Sequence, residues 1–271
     1  MQYIYQKAGT KVNSPILPRV LPLITPRFIP TCTPELLTSL GHMAQAEDCH
    51  ITSHISESLD EVAWSLALEK QDSGVERTDA QVFDRHGLLT RQCIMAHGVW
   101  LNESDASLLR TRGTAVAHCP LSNFFFADTC LPCRDLLTAG NLVGLGTDVA
   151  GGYQPSMMDS CRMAVVASRA FDQQRRHPTN SSAVDQKKPT AVMDYRHAFY
   201  LATLGGAESL NLQDYLGNFA VGKQMDAVIL SPGQNIFIND TDELADVFQK
   251  ICNLGDDRNV RQVYVAGRQV V

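Results

Sequence analysis

Short apolar runs alternate with longer amphipathic stretches between about residue 20 and residue 170. The apolar runs are rich in β-branched residues, which favour strands, and the stretches between them have the spacing of helices. This alternation predicts repeated strand–helix units, and therefore an α/β fold built on a parallel sheet. The predicted strands are LPLIT, CHITSH, CIMAH, TAVAH and LVGLGTD.

Two of the intervening helices have recognisable ends. Thr33 stands before Pro34, which is the order of an N-cap followed by proline at the first helical position. A later helix is predicted from about Glu103 to Arg112 and ends at Gly113, because glycine is a common residue just past a helix end. The predicted order is therefore strand, helix, strand, helix.

The pattern changes after residue 170. The polar segment 171–190 is predicted to be a loop, and the next stretch, RHAFYLATLGGAESL, is predicted to form helices interrupted at Gly205 and Gly206. Beyond about residue 215 we expect short strands joined by glycine turns, with no helix between them. The sequence therefore predicts two units, a partial barrel over 1–214 and a small β-sandwich segment over 215–271.

Ionisable residues follow each predicted strand at its carboxyl end. They are Arg27, His54, His97, His118 and Asp148. In a (β/α)8 barrel the active site is built from these strand ends. A closed barrel needs eight strands and about 250 residues, whereas five strands are predicted here, so we expect either an open sheet or an incomplete version of a longer protein.

Charge and composition exclude several classes of protein. The formal net charge is −6, with no basic stripe, which argues against a nucleic-acid partner. No apolar run approaches the roughly 20 residues of a membrane span, and no signal-like block opens the chain. We therefore expect a cytosolic protein that binds neither nucleic acid nor membranes.

The eight cysteines are spread singly through apolar segments, which predicts reduced thiols rather than a disulfide framework. Cys130 and Cys133 have the spacing of a zinc or redox site, but a single CxxC is a weak signal. We expect two ordinary thiols near the start of a helix.

Three strand ends carry the residues most suited to catalysis. SHISE places Glu57 three residues after His54, so the chain must turn after the strand for both side chains to reach one site. Histidine is a common zinc ligand, and a nearby carboxylate can move protons for a metal-bound water. His97 in MAHG and Asp148 in GLGTDVAGG complete the set.

In this order, SHISE, AHG, AHCPLSN and GLGTDVAGG resemble motifs of the amidohydrolase superfamily. TPRF, LATLGGAESLNL, GNFAVGKQMDAV and LGDDRNVRQVYVAGRQVV are similar to the guanine deaminases within it. The resemblance runs from about Leu21 to Val271, with an interruption near 171–190. It implies a partial TIM-like amidohydrolase barrel that uses Zn²⁺ and water to convert guanine to xanthine and ammonia, and it makes a homodimer plausible.

The resemblance also implies residue roles. His54 and Asp148 match zinc ligands, and His97 matches the residue that hydrogen-bonds the attacking water. Glu57 matches the acid and base that shuttles the proton, while Asp148 is expected to assist the departing ammonia. Arg27 and Phe28 in TPRF match the pair that holds the purine, by hydrogen bonding and by ring stacking respectively.

The chain departs from the family pattern at one point. Amidohydrolases of this type hold zinc with an HxH pair, and no two of the eight histidines here stand two apart. An alternative hypothesis is therefore a catalytically inactive truncated form with a binding or regulatory role. A second alternative, the zinc deaminases with H-x-E and P-C-x-x-C motifs, fits poorly, because the spacing here is HxxE and threonine precedes the CxxC.

Overall fold

Five strands form a parallel sheet where the apolar runs predict them. The computed structural model describes residues 20–176 and 190–271. The strands of this sheet are β1 (Leu23–Ile24), β2 (His50–Ile55), β3 (Cys93–His97), β4 (Ala115–His118) and β5 (Val143–Leu145). They lie in chain order, and every neighbouring pair is parallel. Their carboxyl ends therefore share one edge.

Helices connect successive strands and cover the sheet. They are α1 (Pro34–Glu47), α2 (Leu59–Ser73), α3 (Asp79–Arg85), α4 (Glu103–Arg112), α5 (Pro120–Phe126), α6 (Cys133–Thr138), α7 (Met157–Arg176), α8 (Tyr195–Ala202), α9 (Leu204–Ser209) and α10 (Leu244–Leu254). Both predicted helix ends are confirmed. The Thr33 hydroxyl accepts the amide of Leu36 at 3.3 Å, and Gly113 ends α4 with a φ of 70°.

The predicted loop over 171–190 is partly wrong, because α7 continues through Arg176. Its polar residues lie on helix faces that pair with neighbouring carboxylates: Arg176 contacts Asp172 at 2.9 Å, and Arg175 contacts Asp135 at 2.9 Å. The first of these is an i,i+4 pair within α7, which supports a helix whose composition resembles a loop, and the second joins α7 to α6. The rest of the segment, 177–189, lies outside the described residues.

The predicted helix interruption at Gly205 and Gly206 is also misplaced. The break occurs at Thr203, between α8 and α9, and both glycines lie inside α9. A Cβ atom on Gly205 would lie 3.2 Å from the carbonyl oxygen of Val143 in β5. The glycines therefore allow α9 to approach the sheet closely rather than ending a helix.

The carboxyl-terminal region contains a small antiparallel sheet. It is formed by β6 (Ala227–Leu230), β7 (Val260–Val265) and β8 (Arg268–Gln269). The expectation of no helix between these strands is wrong, because α10 lies between β6 and β7. Phe248 of α10 packs edge-on against Phe199 of α8, with ring centroids 4.9 Å apart. The division of the chain at residues 214 and 215 stays a prediction.

The hydrophobic core lies between the parallel sheet and its helices. Its largest fully buried apolar side chains are Phe83, Leu37, Ile51, Ile55, Leu88, Met95, Leu109, Leu131, Met193 and Leu201. No disulfide joins any of the eight cysteines. Burial raises the pKa of the Cys130 and Cys133 thiols, to about 11 and about 12 respectively, so neither has the character of a reactive thiolate. Among the described helices, none is long and apolar enough to cross a membrane.

α1 packs closely against the backbone at the end of α3, and this contact allows a prediction about stability. A Cβ atom on Gly41 of α1 would lie 2.0 Å from the carbonyl oxygen of His86. We expect Gly41→Ala to lower the free energy of unfolding by about 1–3 kcal/mol, because the backbone must move apart. Urea unfolding measures this. The exposed neighbour Met43→Ala should change stability by less than about 0.5 kcal/mol; equal effects of the two variants would contradict the packing argument.

Candidate active site

His54 is held at the carboxyl edge of the sheet by a backbone carbonyl group from the segment that follows β1. Its Nδ1 lies 2.7 Å from the carbonyl oxygen of Arg27, and that oxygen also accepts the amide of His54 at 3.1 Å and the hydroxyl of Ser53 at 3.2 Å. A carbonyl oxygen can only accept, so Nδ1 of His54 carries the hydrogen. When the ring is neutral, its Nε2 atom therefore has a lone pair for a ligand.

His97 is fully buried and is oriented by Asn123. Its Nδ1 lies 3.0 Å from Asn123 Oδ1, an acceptor, so the hydrogen is again on Nδ1. The Nε2 atom of His97 has no hydrogen-bond partner within 20–176 and 190–271. The rings of His54 and His97 are stacked, with centroids 5.3 Å apart. In their neutral forms, the two imidazoles thus present Nε2 lone pairs at the same edge.

Glu57 reaches this edge because the chain turns sharply after β2. Ser56 has a φ of 46°, in the left-handed region that residues other than glycine seldom adopt. The turn brings Glu57 Oε1 to 3.5 Å from His97 Nε2, at the outer limit for a hydrogen bond. The predicted juxtaposition of Glu57 with the strand-end histidines is therefore present in the structure.

Asp148 reaches the group from the segment that follows β5, an edge strand of the sheet. Its Oδ2 lies 3.9 Å from His97 Nε2, and its backbone has a φ of 49°. His97 also has a positive φ, of 71°. Left-handed backbone at residues other than glycine costs about 1–3 kcal/mol, and such residues concentrate at functional sites.

These side chains form a possible metal site. Ligand atoms of His54, His97 and Asp148 all lie within 4.8 Å of one another. Two imidazole nitrogens and a carboxylate oxygen are a donor set that suits zinc. The cluster contains no cysteine, so the hypothesis of an H-x-E and P-C-x-x-C deaminase is not supported by the arrangement. Sequence reasoning placed His97 beside the metal, and the geometry places it within the cluster.

Two further buried residues, His118 and Cys119, lie near the cluster. Neither ring nitrogen of His118 has a partner in the described part of the chain, and its burial, together with nearby His97, lowers the pKa of His118 to about 3. Burial, with Asp148 and Glu57 nearby, raises the pKa of the Cys119 thiol to about 12. His118 is therefore neutral and Cys119 remains a thiol at neutral pH.

Arg27 and Phe28 follow β1 at the same edge. The Arg27 side chain is exposed, and its guanidinium carbon lies 5.9 Å from the centroid of the Phe28 ring. The backbone carbonyl of Arg27 is hydrogen-bonded to His54, as described above. Their role in holding a purine stays a prediction, as do the roles of the other site residues.

Sequence reasoning gave no role to Asn123, although AHCPLSN was among the motifs that carried the resemblance. It also missed Glu61 and Asp79, whose carboxyl groups accept backbone amides of the turn that carries Glu57. The available signal for Asn123 was its place five residues after the strand-end His118. No comparable local signal marked the two acids.

Comparisons with known proteins agree with this architecture. The chain is 40% identical to guanine deaminase of Mus musculus over 263 residues, which cover 94% of this chain and 54% of the mouse protein. It is 31% identical to guanine deaminase of Escherichia coli K12 over 261 residues, covering 93% of this chain and 54% of that protein. The chain thus spans about half the length of the curated relatives it matches.

Solved structures show the same fold. Guanine deaminase from Bradyrhizobium japonicum superimposes with a TM-score of 0.83 at 26% identity, covering 100% of this chain and 60% of that one. The C. acetobutylicum enzyme, with guanine bound in its active site, gives 0.81 at 28% identity, with coverages of 100% and 59%. An adenosine deaminase from Xanthomonas campestris with bound zinc gives 0.73 at 25% identity, covering 90% and 50%.

These relatives confirm the expected partial TIM-like barrel, with its small antiparallel sheet at the carboxyl end. The amidohydrolase family matches the sequence from residue 17 to residue 270. The chain therefore belongs to the amidohydrolase family.

Proposed function

We propose that this chain carries the catalytic residues of a guanine deaminase, which hydrolyses guanine to xanthine and ammonia. The observation that carries the proposal is the convergence of Glu57, His97 and Asp148 with His54 at one edge of the sheet. Similarity to guanine deaminases over more than nine tenths of the chain supports the choice of substrate. The partners are accordingly guanine and water.

The donor set supports Zn²⁺ as the cofactor. His54 and Asp148 would hold the ion, and His97 would lie beside it or complete the set. The lone pair on Nε2 of His54 and the unpartnered Nε2 of His97 fit this role, because a metal ligand must be unprotonated. When bound, zinc lowers the pKa of a coordinated water to about 7, which supplies hydroxide near neutral pH.

The protein's own groups perform the proton transfers. Glu57 takes a proton from the attacking water and passes it to the ring nitrogen beside C2, which makes C2 more electrophilic. The water oxygen forms the new bond to C2, and the bond from C2 to the amino nitrogen breaks. Asp148 passes the remaining proton of the added oxygen to that nitrogen, which leaves as ammonia, and the oxygen becomes the C2 carbonyl of xanthine. His97 accepts a hydrogen bond from the attacking water through its unprotonated Nε2.

Arg27 and Phe28 supply purine recognition in this proposal. A guanidinium group stays protonated and donates hydrogen bonds in a fixed planar array, which suits the carbonyl and ring nitrogens of guanine. The Phe28 ring offers a face for stacking on the base. The exposure of Arg27 leaves the guanidinium group free to meet a ligand.

Cytosolic location and a homodimer remain parts of the proposal. Eight cysteines that form no disulfide support a reducing compartment, because secreted proteins of this cysteine content commonly form disulfides. The homodimer rests on similarity to the family alone. Size-exclusion chromatography with light scattering distinguishes a monomer from a dimer.

The first prediction of the proposal concerns activity. With added zinc, the chain should convert guanine to xanthine, followed by ultraviolet absorbance and by ammonia release. Glu57→Gln should lower kcat by about 10²–10⁴-fold, because the proton shuttle is lost. Glu103→Gln, an exposed substitution on α4, should leave kcat unchanged. A Glu57→Gln variant with the activity of the wild type would contradict the role of Glu57 as proton shuttle. A wild-type chain that binds zinc but does not convert guanine would favour the catalytically inactive binding form.

The second prediction concerns the metal. Asn123→Leu should weaken zinc binding by about 10–100-fold, because His97 loses the acceptor that orients its ring. Asn123→Asp keeps an acceptor at that atom and should retain zinc affinity. Competition with a chromogenic chelator measures both dissociation constants. Equal affinities for the leucine variant and the wild type would show that His97 has no part in holding the ion.

The third prediction concerns specificity. Arg27→Ala should lower kcat/KM for guanine, because a charged hydrogen-bond donor is removed. The decrease should correspond to about 1.5–3 kcal/mol of lost transition-state stabilisation. Arg27→Lys keeps the charge but not the planar fork, and should recover only part of this loss. Steady-state kinetics provide the measurement, with Arg110→Ala on the outer face of α4 as the control. An unchanged kcat/KM in Arg27→Ala would remove Arg27 from the site.

A further inference from the structure

Two buried carboxyl groups lie behind the turn that carries Glu57. This β2–α2 turn comprises residues 56–58. Asp79, the first residue of α3, is 1% exposed, and Glu61, in the first turn of α2, is 9% exposed. Aspartate and glutamate are seldom buried to this degree unless they are paired with a cation or a metal.

Both carboxyl groups accept backbone amides of the β2–α2 turn. Asp79 Oδ2 accepts the N–H of Ser56 at 2.9 Å, and Glu61 Oε2 accepts the N–H of Glu57 at 3.2 Å. The second oxygen of Glu61 accepts the hydroxyl of Ser65 at 3.0 Å. Consecutive amides of one turn are thus held by acids from two different helices.

Helix capping alone does not explain this arrangement. Glu61 is the third residue of α2, and in a capping box its side chain would accept the amide of the N-cap residue, Ser58. It accepts the amide of Glu57 instead, one residue earlier. Asp79 belongs to α3 and reaches across to a different element. The common target of both acids is the turn.

The pair also has no cationic partner in the described part of the chain, where no ion pair involves either residue. Burial and the neighbouring Asp79 raise the pKa of Glu61 to about 8. Burying two acids without a cation lowers the stability of a fold, and apolar side chains of similar size would often raise it. The arrangement is therefore difficult to explain by stability alone.

These hydrogen bonds fix the backbone that positions the carboxylate of Glu57. Ser56 has left-handed backbone, and the next residue presents its side chain 3.5 Å from His97 Nε2. We propose that Glu61 and Asp79 are positioning residues, each accepting one backbone N–H of the turn that holds Glu57 at the site. Neither residue contacts the reacting atoms. They act by limiting the positions of the Glu57 carboxylate.

The test uses the whole chain and two independent readouts. Amide hydrogen exchange at residues 56 and 57, measured by NMR without ligand, reports whether the turn is held. Glu61→Met should speed this exchange by about tenfold, because the acceptor is gone while the length of the side chain is kept. Glu61→Gln keeps an acceptor and should restore slow exchange. Asp79→Leu makes the same test at the neighbouring amide, so the proposal is tested even where one variant does not fold.

The kinetic readout rests on the proposed function. Glu61→Met should lower kcat for guanine by up to about 100-fold, because small displacements of a catalytic group have effects of this size. KM should change by less than about threefold, since binding does not use the turn. The matched control is Glu69→Leu, which removes another buried carboxylate of α2 two turns away, where it pairs with Arg77 and Arg85. It should lower the free energy of unfolding without changing kcat.

The outcomes separate the two proposals. If the wild-type chain releases no ammonia, the proposed function fails, and the exchange rates still decide whether the acids hold the turn. If both Glu61→Met and Asp79→Leu leave amide exchange at residues 56 and 57 at the wild-type rate, the proposed positioning role of the two acids is wrong. A loss of kcat in Glu61→Met that Glu69→Leu reproduces also overturns it, because the effect would then follow from stability. Faster exchange and a lower kcat, both restored by Glu61→Gln, support it.

Discussion

Parallel pairing of five consecutive strands is the constraint on which the site depends. Each strand returns to the sheet through helices, so every strand ends at the same edge. The register sets Ile55 opposite His97, and His118 opposite Leu145. Residues far apart in sequence are thereby brought within a few ångströms, as His97 and Asp148 are. No local motif could achieve this without the sheet.

Sequence patterns predicted the elements well where periodicity and end signals agreed. The five strands and the helix that ends at Gly113 follow directly from apolar spacing and a glycine C-cap. The predicted interruption at Gly205 failed because glycine has two uses, ending a helix and permitting close packing, and only the tertiary contact with β5 distinguishes them. The helical FDQQRR segment was missed for a similar reason, since its ion pairs are visible only in three dimensions.

The candidate site was predictable to the extent that its residues follow strands. His54, His97 and Asp148 all do, and they form the cluster. Glu61 was not predictable, because an acid in the first turn of a helix is ordinarily a solvated residue that favours the helix dipole. Glu61 is instead buried, next to Asp79 of another helix. Asn123 likewise acquires its role only when α5 places it beside His97.

The carbonyl oxygen of Arg27 has a consequence for changing this protein. Three donors from β2 converge on it, including the ring nitrogen that determines how His54 faces the cluster. The same residue carries the side chain that is proposed to bind the purine. A loop redesign that alters the path of the backbone near residue 27 would therefore rotate the His54 imidazole as well. The proposed purine site and the proposed metal site therefore share one backbone segment, so an engineer can exchange side chains at this loop but cannot freely change its length.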